Sequence, residues 1–346
     1  MFHDLLIKVL KKADLTADEA ASAMDDIVDG RAAAAQVAGL LVGLAMKGER
    51  PDEIVGFARS MRGRAVQIGV PAGSTADLCG TGGDSTGTFN ISSAAALVAA
   101  ACGLKVAKHG NRSVSSRCGS ADVFEALGVN LAASPSTLAR CLDRAGIAFL
   151  FAPVIHPSMR SVVAVRRELA VRTAFNLLGP LTNPTEPAFQ LVGVPRPDLT
   201  ELIARALARL GSTRAWVVHG ADGLDELSTT GYSKVSECFG GAVKTFYVHP
   251  ADLGIARAAK GALAGGDSAM NAAIVRSVLA GEAGPARDVV LLNAGAMLFV
   301  AGRAPHLADG LRMAAEAIDR GGARRTLDAL VRCSEEAIPG ESRGGI

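Results

Sequence analysis

The chain has 346 residues, 49% of them hydrophobic, 20% charged and only 4% aromatic. That composition excludes a disordered polypeptide and leaves room for two domains, or for a large α/β body with a smaller appendage. Basic and acidic residues nearly cancel, giving a net charge of +2. The balance argues against a nucleic-acid coat or a membrane-surface patch, so neither partner is expected.

Residues 1–12 carry Asp4 and interleave Leu and Ile with Lys, unlike the uninterrupted apolar core of a signal peptide. The apolar stretches 94–104 and 289–300 are too short, or too interrupted by Asn293 and Gly295, to span a bilayer. Cys79, Cys102, Cys118, Cys141, Cys238 and Cys333 are scattered without a CxxC pair. Such spacing suits reduced thiols, and a cytoplasmic setting is expected.

The first seventy or so residues are expected to be wholly helical. Residues 2–12 have helical periodicity, and Thr16 with Glu19 forms a capping-box pattern opening a helix that ends at Gly30. A third helix covers 32–47, and Pro51 followed by Asp52 and Glu53 opens a fourth. Past the glycines of 69–73 the texture changes. Short apolar runs at 76–79, 105–107, 147–151, 189–192 and 215–218 read as strands. Helices are expected over 92–102, 121–127, 136–145, 197–210 and in several segments after Asp267. The alternation predicts an α/β fold: a small all-helical N-terminal domain (1–72) and a large domain (73–346) with a mostly parallel sheet flanked by helices. The Arg-rich helical segment near 160–182 is expected to join the small domain, and 340–346 to be a frayed end.

Four segments carry chemistry. Residues 77–93 follow a strand and precede an apolar helix, and four glycines let the backbone turn tightly toward an anion. Asn90, Ser92 and Ser93 stand at the next helix start, where free N–H groups favour phosphate. Taken alone, an ordinary glycine-rich turn is an equal reading. The pattern is neither GxxxxGK[ST] nor GxGxxG, which weakens NTPase and NAD readings.

The second segment, Lys108 to Ser116 with Gly119 and Ser120, crowds two cations, an imidazole, an amide and hydroxyls at the expected carboxyl edge of the sheet. These groups suit a phosphorylated sugar. The third, 218–226, ends in Asp225 and Glu226, which can turn toward one ion from a glycine-flanked loop. A solvated acidic turn is the commoner reading of such a doublet. The fourth, 159–184, is rich in arginines, one of which can grip a carboxylate, though spacing does not say which faces inward.

With GTGGD, NIS, KHGNR, VRREL…RT.FN.LGPLTNP and GLDE in order, the chain closely resembles the anthranilate phosphoribosyltransferase family over nearly its whole length. The resemblance implies transfer of phosphoribose from phosphoribosyl pyrophosphate to the amine of anthranilate, in tryptophan biosynthesis. It also implies a homodimer formed through the helical domain. On the matching positions, Gly80, Gly83, Asp84, Thr88, Asn90, Ile91, Ser92 and Ser93 would hold phosphoribosyl pyrophosphate. Lys108, His109, Gly110, Asn111, Arg112, Ser113, Val114, Ser115, Ser116 and Ser120 would complete that site. Ser92, Asp225 and Glu226 would serve two Mg2+ ions. Gly80, Asn111 and Arg166 would contact anthranilate, with His109 and Pro180 lining its channel.

No strong general base is expected, because an aromatic amine is already neutral at pH 7; His109 is a weak candidate for the departing proton. Ser85, Ser93 and Ala170 depart from the family pattern, standing where Gly, Thr and Gly are commoner. Two rival readings share the architecture: a pyrimidine nucleoside phosphorylase-like enzyme and a non-catalytic nucleic-acid-binding relative. The Arg166 segment weighs against the first, and the low charge with one Trp and two Tyr against the second.

Overall fold

The structure, a computed structural model, describes residues 2–113 and 117–336. Val114, Ser115, Ser116 and the expected frayed end therefore lie outside the described residues.

Four helices open the chain: α1 (Phe2–Leu10), α2 (Ala17–Val28), α3 (Ala34–Lys47) and α4 (Pro51–Gly63). The capping box forms as the sequence predicts, with the Glu19 amide donating to Thr16 Oγ1 at 3.2 Å and the Thr16 amide to Glu19 Oε2 at 2.8 Å. Glu53 is buried yet fully engaged. It accepts the Leu15 and Arg50 amides at 2.9 and 2.8 Å and pairs with Lys47 at 3.0 Å, so one carboxylate pins α4 to the ends of its neighbours.

The sheet has seven strands: β1 (Ala76–Gly80), β2 (Val106–Gly110), β3 (Ile147–Phe151), β4 (Phe189–Gly193), β5 (Arg214–Gly220), β6 (Ser233–Phe239) and β7 (Ala242–Val248). Their order is β3-β2-β1-β4-β5-β6-β7, parallel from β3 to β5 and antiparallel at β6 and β7. The five expected strands are present. The β6–β7 hairpin is a finding beyond them, because its buried positions include Ser233, Ser236 and Glu237, which hide the apolar alternation of a strand.

The remaining helices are α5 (Ile91–Ala101), α6 (Ser120–Ala126), α7 (Pro135–Arg144), α8 (Ala152–Ile155), α9 (Arg160–Leu169), α10 (Leu199–Arg209), α11 (Ser268–Leu279), α12 (Pro285–Val300), α13 (Leu307–Asp319) and α14 (Gly322–Glu335). One hydrophobic core gathers α5 and the C-terminal helices on one face of the sheet. Alanines at 94–96 and 99–100 are buried, and their small side chains let α5 lie close to β1, α12 and α14. A second core joins the N-terminal helices, α9 and α10 on the other face, and includes Cys79, Val192 and Val217 of the sheet. Within it α9 packs against α2 and α3. No helix among the described residues is long and apolar enough to cross a membrane.

Candidate active site

The strand order places the site. From β1 the chain runs outward through β2 to β3, then returns to lay β4 on the other side of β1. Loops leaving β1 and β4 therefore diverge at the carboxyl edge, where open α/β sheets bind ligands. Gly80 and Gly193 are paired in register at those two strand ends. Both glycines are needed for close approach: a Cβ on Gly193 would sit 1.4 Å from the Asp225 carbonyl oxygen, and one on Gly80 would sit 2.4 Å from Asp225 Oδ2.

After β1, Gly82 and Gly83 take φ of +67° and +81°, which L side chains rarely adopt. The Gly82 amide donates to Asp225 Oδ2 at 3.1 Å, tying the turn to the acidic loop after β5. Asp84 accepts from the Thr86 amide and hydroxyl. Thr88 bridges to Ala264, and Asn90 is braced by the Asn271 side chain at 3.0 Å. At the start of α5, Ile91 is buried, so only its backbone can serve a ligand, while the buried Ser93 hydroxyl has no partner among the described residues.

After β2, Lys108 is 1% exposed; its ammonium donates to the Leu78 carbonyl and to Ser92 Oγ at 3.4 Å. His109 Nδ1 lies 3.0 Å from the Gly179 carbonyl, which requires a proton on Nδ1 and leaves Nε2 as an acceptor without a partner among the described residues. Burial pushes the His109 pKa down to about 4, so the ring is neutral at pH 7 and weakly basic. His156 stacks edge-on against it at 5.2 Å between ring centroids and is likewise lowered by burial, to about 3. Asn111 Oδ1 accepts the Arg112 amide, and the Arg112 guanidinium is held by Asp122 and Glu125 at 3.0 and 2.7 Å. A Cβ on Gly110 would meet Ser120 Oγ at 2.2 Å, so this loop also folds closely back on itself.

Glu226 is buried and accepts the Ser92 amide at 3.1 Å, bringing together two of the expected metal-binding positions. Both Asp225 and Glu226 have raised pKa values. Burial is the main cause, reinforced by Asp84 beside Asp225 and by Asp225 beside Glu226. No three His, Cys, Asp or Glu side chains converge to hold a metal among the described residues. The donors are nevertheless hard oxygens, crowded together, and the nearby Lys108 only partly offsets the cost of burying the charge of Glu226. That chemistry fits Mg2+, which takes one or two carboxylates and fills its shell with water and phosphate.

Helix α9 and the segment after it close the site. Arg166 lies with its guanidinium 5.5 Å from the Phe175 ring and forms no ion pair with a described residue. Asn183 anchors this segment to the sheet by donating to buried Asp77 at 3.0 Å and to the Ala107 carbonyl at 2.7 Å. Arg62 of α4 donates to the Leu181 carbonyl at 2.7 Å, so the helical part holds the same segment. Together these elements enclose a cavity of about 480 Å³.

All of the described candidate residues line that cavity: those of the first turn, Lys108 to Ser113, Ser120, Arg166, Pro180, Asp225 and Glu226. Sequence reasoning missed Met61, His156, Phe175 and Arg172 in its wall. Met61 comes from the helical part, so no local spacing betrays it. Arg172 was one of several arginines whose direction only the fold reveals.

Known proteins place this geometry. Residues 3–65 match the model of the helical bundle domain of a glycosyl transferase family, and 72–324 that of its a/b domain. An anthranilate phosphoribosyltransferase of Moorella thermoacetica is 55% identical over 331 residues, covering 96% of this chain and 98% of the relative. The chain belongs to the anthranilate phosphoribosyltransferase family. A family member from Thermus thermophilus superposes with a TM-score of 0.90 at 43% identity, over 96% of this chain and 100% of that one. The Saccharomyces cerevisiae enzyme, solved in complex with PRPP and Mg, gives a TM-score of 0.86 at 26% identity, covering 96% and 97%. Ser85 and Ala170, two positions where the sequence resemblance leads one to expect glycine, stand at φ of +56° and +50°. Both are backbone positions that suit glycine.

Proposed function

We propose that this enzyme transfers the phosphoribosyl group of phosphoribosyl pyrophosphate to the amine of anthranilate, releasing pyrophosphate, as a step of tryptophan biosynthesis. The observation that carries the reading is one cavity that joins a glycine turn, Lys108 and an acidic doublet to an arginine beside an aromatic ring, free of any described carboxylate. Gly80, Gly83, Asp84, Thr88, Asn90 to Ser93, Lys108 to Ser116 and Ser120 bind the donor. Its diphosphate takes N–H groups from the turn and the start of α5. Ser92, Asp225 and Glu226 are the positions that would hold Mg2+, two ions in all. When bound, the metal supplies charge neutralisation to the departing diphosphate.

Gly80, Asn111 and Arg166 hold anthranilate, its carboxylate on the guanidinium and its ring along Phe175, His109 and Pro180. The C1–O bond to pyrophosphate breaks with its electron pair leaving on the pyrophosphate oxygen, the amine nitrogen bonds to C1, and the nitrogen then passes its proton to solvent or to the released pyrophosphate. Lys108 and the turn amides stabilise the leaving oxyanions, while the acceptor pocket keeps the nitrogen behind C1. Low basicity makes His109 a poor proton store, and orientation of Gly179 is the better use of its ring.

The reading includes a small domain of 1–72 joined by 160–182, and a large domain of 73–346; the packing of α9 on α2 and α3 supports it. It also includes a cytoplasmic homodimer formed through the helical domain. Leu10 on α1 and Met46 on α3 support this, being apolar yet 62% and 83% exposed. Loss of anthranilate fluorescence that requires both phosphoribosyl pyrophosphate and Mg2+ is the expected result. Phosphorolysis of uridine or thymidine in its place would refute the reading.

A further inference from the structure

Arg172 lines the cavity from the stretch of chain that follows α9. It stands between two fixed points. Upstream, the chain leaves α9 through the left-handed turn at Ala170. Downstream, the Thr173 amide donates to Asn176 Oδ1 at 2.9 Å and locks the turn that carries Phe175. From there the Arg172 guanidinium reaches across to the glycine-rich turn, where Nη2 donates to the Gly82 carbonyl at 2.9 Å. It also fills the space beside Gly83, where a Cβ would lie 1.6 Å from Nη1. Asp84 and Asp225 draw on its charge without pairing with it.

Gly82 is thus held in two successive peptide groups, the Thr81–Gly82 peptide through its N–H by Asp225 and the Gly82–Gly83 peptide through its C=O by Arg172. In a trans peptide the carbonyl of one residue and the N–H of the next point in opposite directions. Holding the Gly82 carbonyl toward Arg172 therefore aims the Gly83 N–H away from it. At φ of +67° and +81° these two glycines have little intrinsic preference, so an outside contact must choose their orientation.

We propose that Arg172 is a positioning residue for the diphosphate-binding turn, setting the Gly82–Gly83 peptide so that the Gly83 N–H is presented to a diphosphate oxygen. The inference rests on the donor site proposed above. It gives two of the three arginines in 166–172 separate duties, Arg166 for the acceptor carboxylate and Arg172 for the donor turn. Substrate specificity and donor binding are then coupled through one short stretch of chain.

The test is calorimetric titration of phosphoribosyl pyrophosphate with Mg2+ into wild type, Arg172→Ala and Arg172→Lys, with KM measured for both substrates. Arg172 is exposed and makes one hydrogen bond, so the variants are expected to melt near the wild-type temperature. Arg172→Ala should weaken donor binding and raise donor KM about tenfold, the worth of one charge-assisted hydrogen bond. The KM for anthranilate should stay within about twofold. Arg172→Lys should fall between the other two. Unchanged donor affinity in Arg172→Ala, or an equal rise in both KM values, overturns the proposal. If wild type itself binds no donor with Mg2+, the reading of the site fails first, whatever the variants do.

Discussion

The carbonyl oxygen of Asp225 lies where a methyl group on Gly193 would be, 1.4 Å from the position of an added Cβ. The acidic loop thus rides directly over the end of β4. Gly193→Ala should push that loop off the sheet, costing about 1–3 kcal/mol as overpacking does. A thermal melt and an Mg2+ titration would check this; a variant with wild-type melting temperature and metal response would contradict it.

Arg166 has an aromatic face on one side and no carboxylate partner among the described residues. Arg166→Ala should therefore raise KM for anthranilate by about tenfold or more and leave donor KM nearly unchanged. Steady-state kinetics with each substrate varied in turn decides the matter. Equal effects on both substrates would remove the acceptor assignment.

The raised pKa values of Asp225 and Glu226 make a paired prediction. Without metal, the folded state holds protons there that the unfolded chain has lost. Their contribution to stability is present at low pH and is lost as pH rises through the raised values. Asp225→Asn with Glu226→Gln should flatten that slope in metal-free melts and abolish stabilisation by Mg2+. Persistence of metal stabilisation in the double variant would show that the doublet is only a turn.

His109 and His156 act in the opposite direction. Their folded values of about 4 and about 3 lie below the usual value for histidine, so unfolding takes up protons on acidification. Stability from this pair is complete above about pH 6.5 and is lost as pH falls through about 4 and about 3. His156→Asn should shallow the acid limb of a stability–pH curve, measured by urea unfolding at each pH. An unaltered limb would mean that other groups govern it.

Much of this was legible because local rules and fold agree. Thr16 with Glu19, Pro51 and Ser134 before Pro135 mark helix starts that form as capping chemistry dictates. The strand starting at Ile147 announces itself by an unbroken apolar run. β6 and β7 do not, because their polar residues are satisfied by neighbouring strands and a helix: Glu237 accepts from Trp216 and Arg214 of β5, and Ser236 donates to Thr200 of α10 and bonds the Thr245 hydroxyl of β7. The signal that could have found them is Gly240-Gly241, a two-residue hairpin turn with φ of +57° and +80°. The glycine turn and the acidic doublet stand 143 residues apart at the bond from Gly82 to Asp225. Spacing cannot report such a meeting, which is made by the strand order. The direction of each arginine on the 159–184 segment was hidden for the same reason.

The most direct test is diffraction from crystals of the protein grown with phosphoribosyl pyrophosphate and Mg2+. The account predicts diphosphate density between the turn at Gly80–Asp84, Lys108 and the start of α5, with metal on Asp225 and Glu226. Density for an ordered donor bound elsewhere, with that turn contacting only solvent, would contradict it.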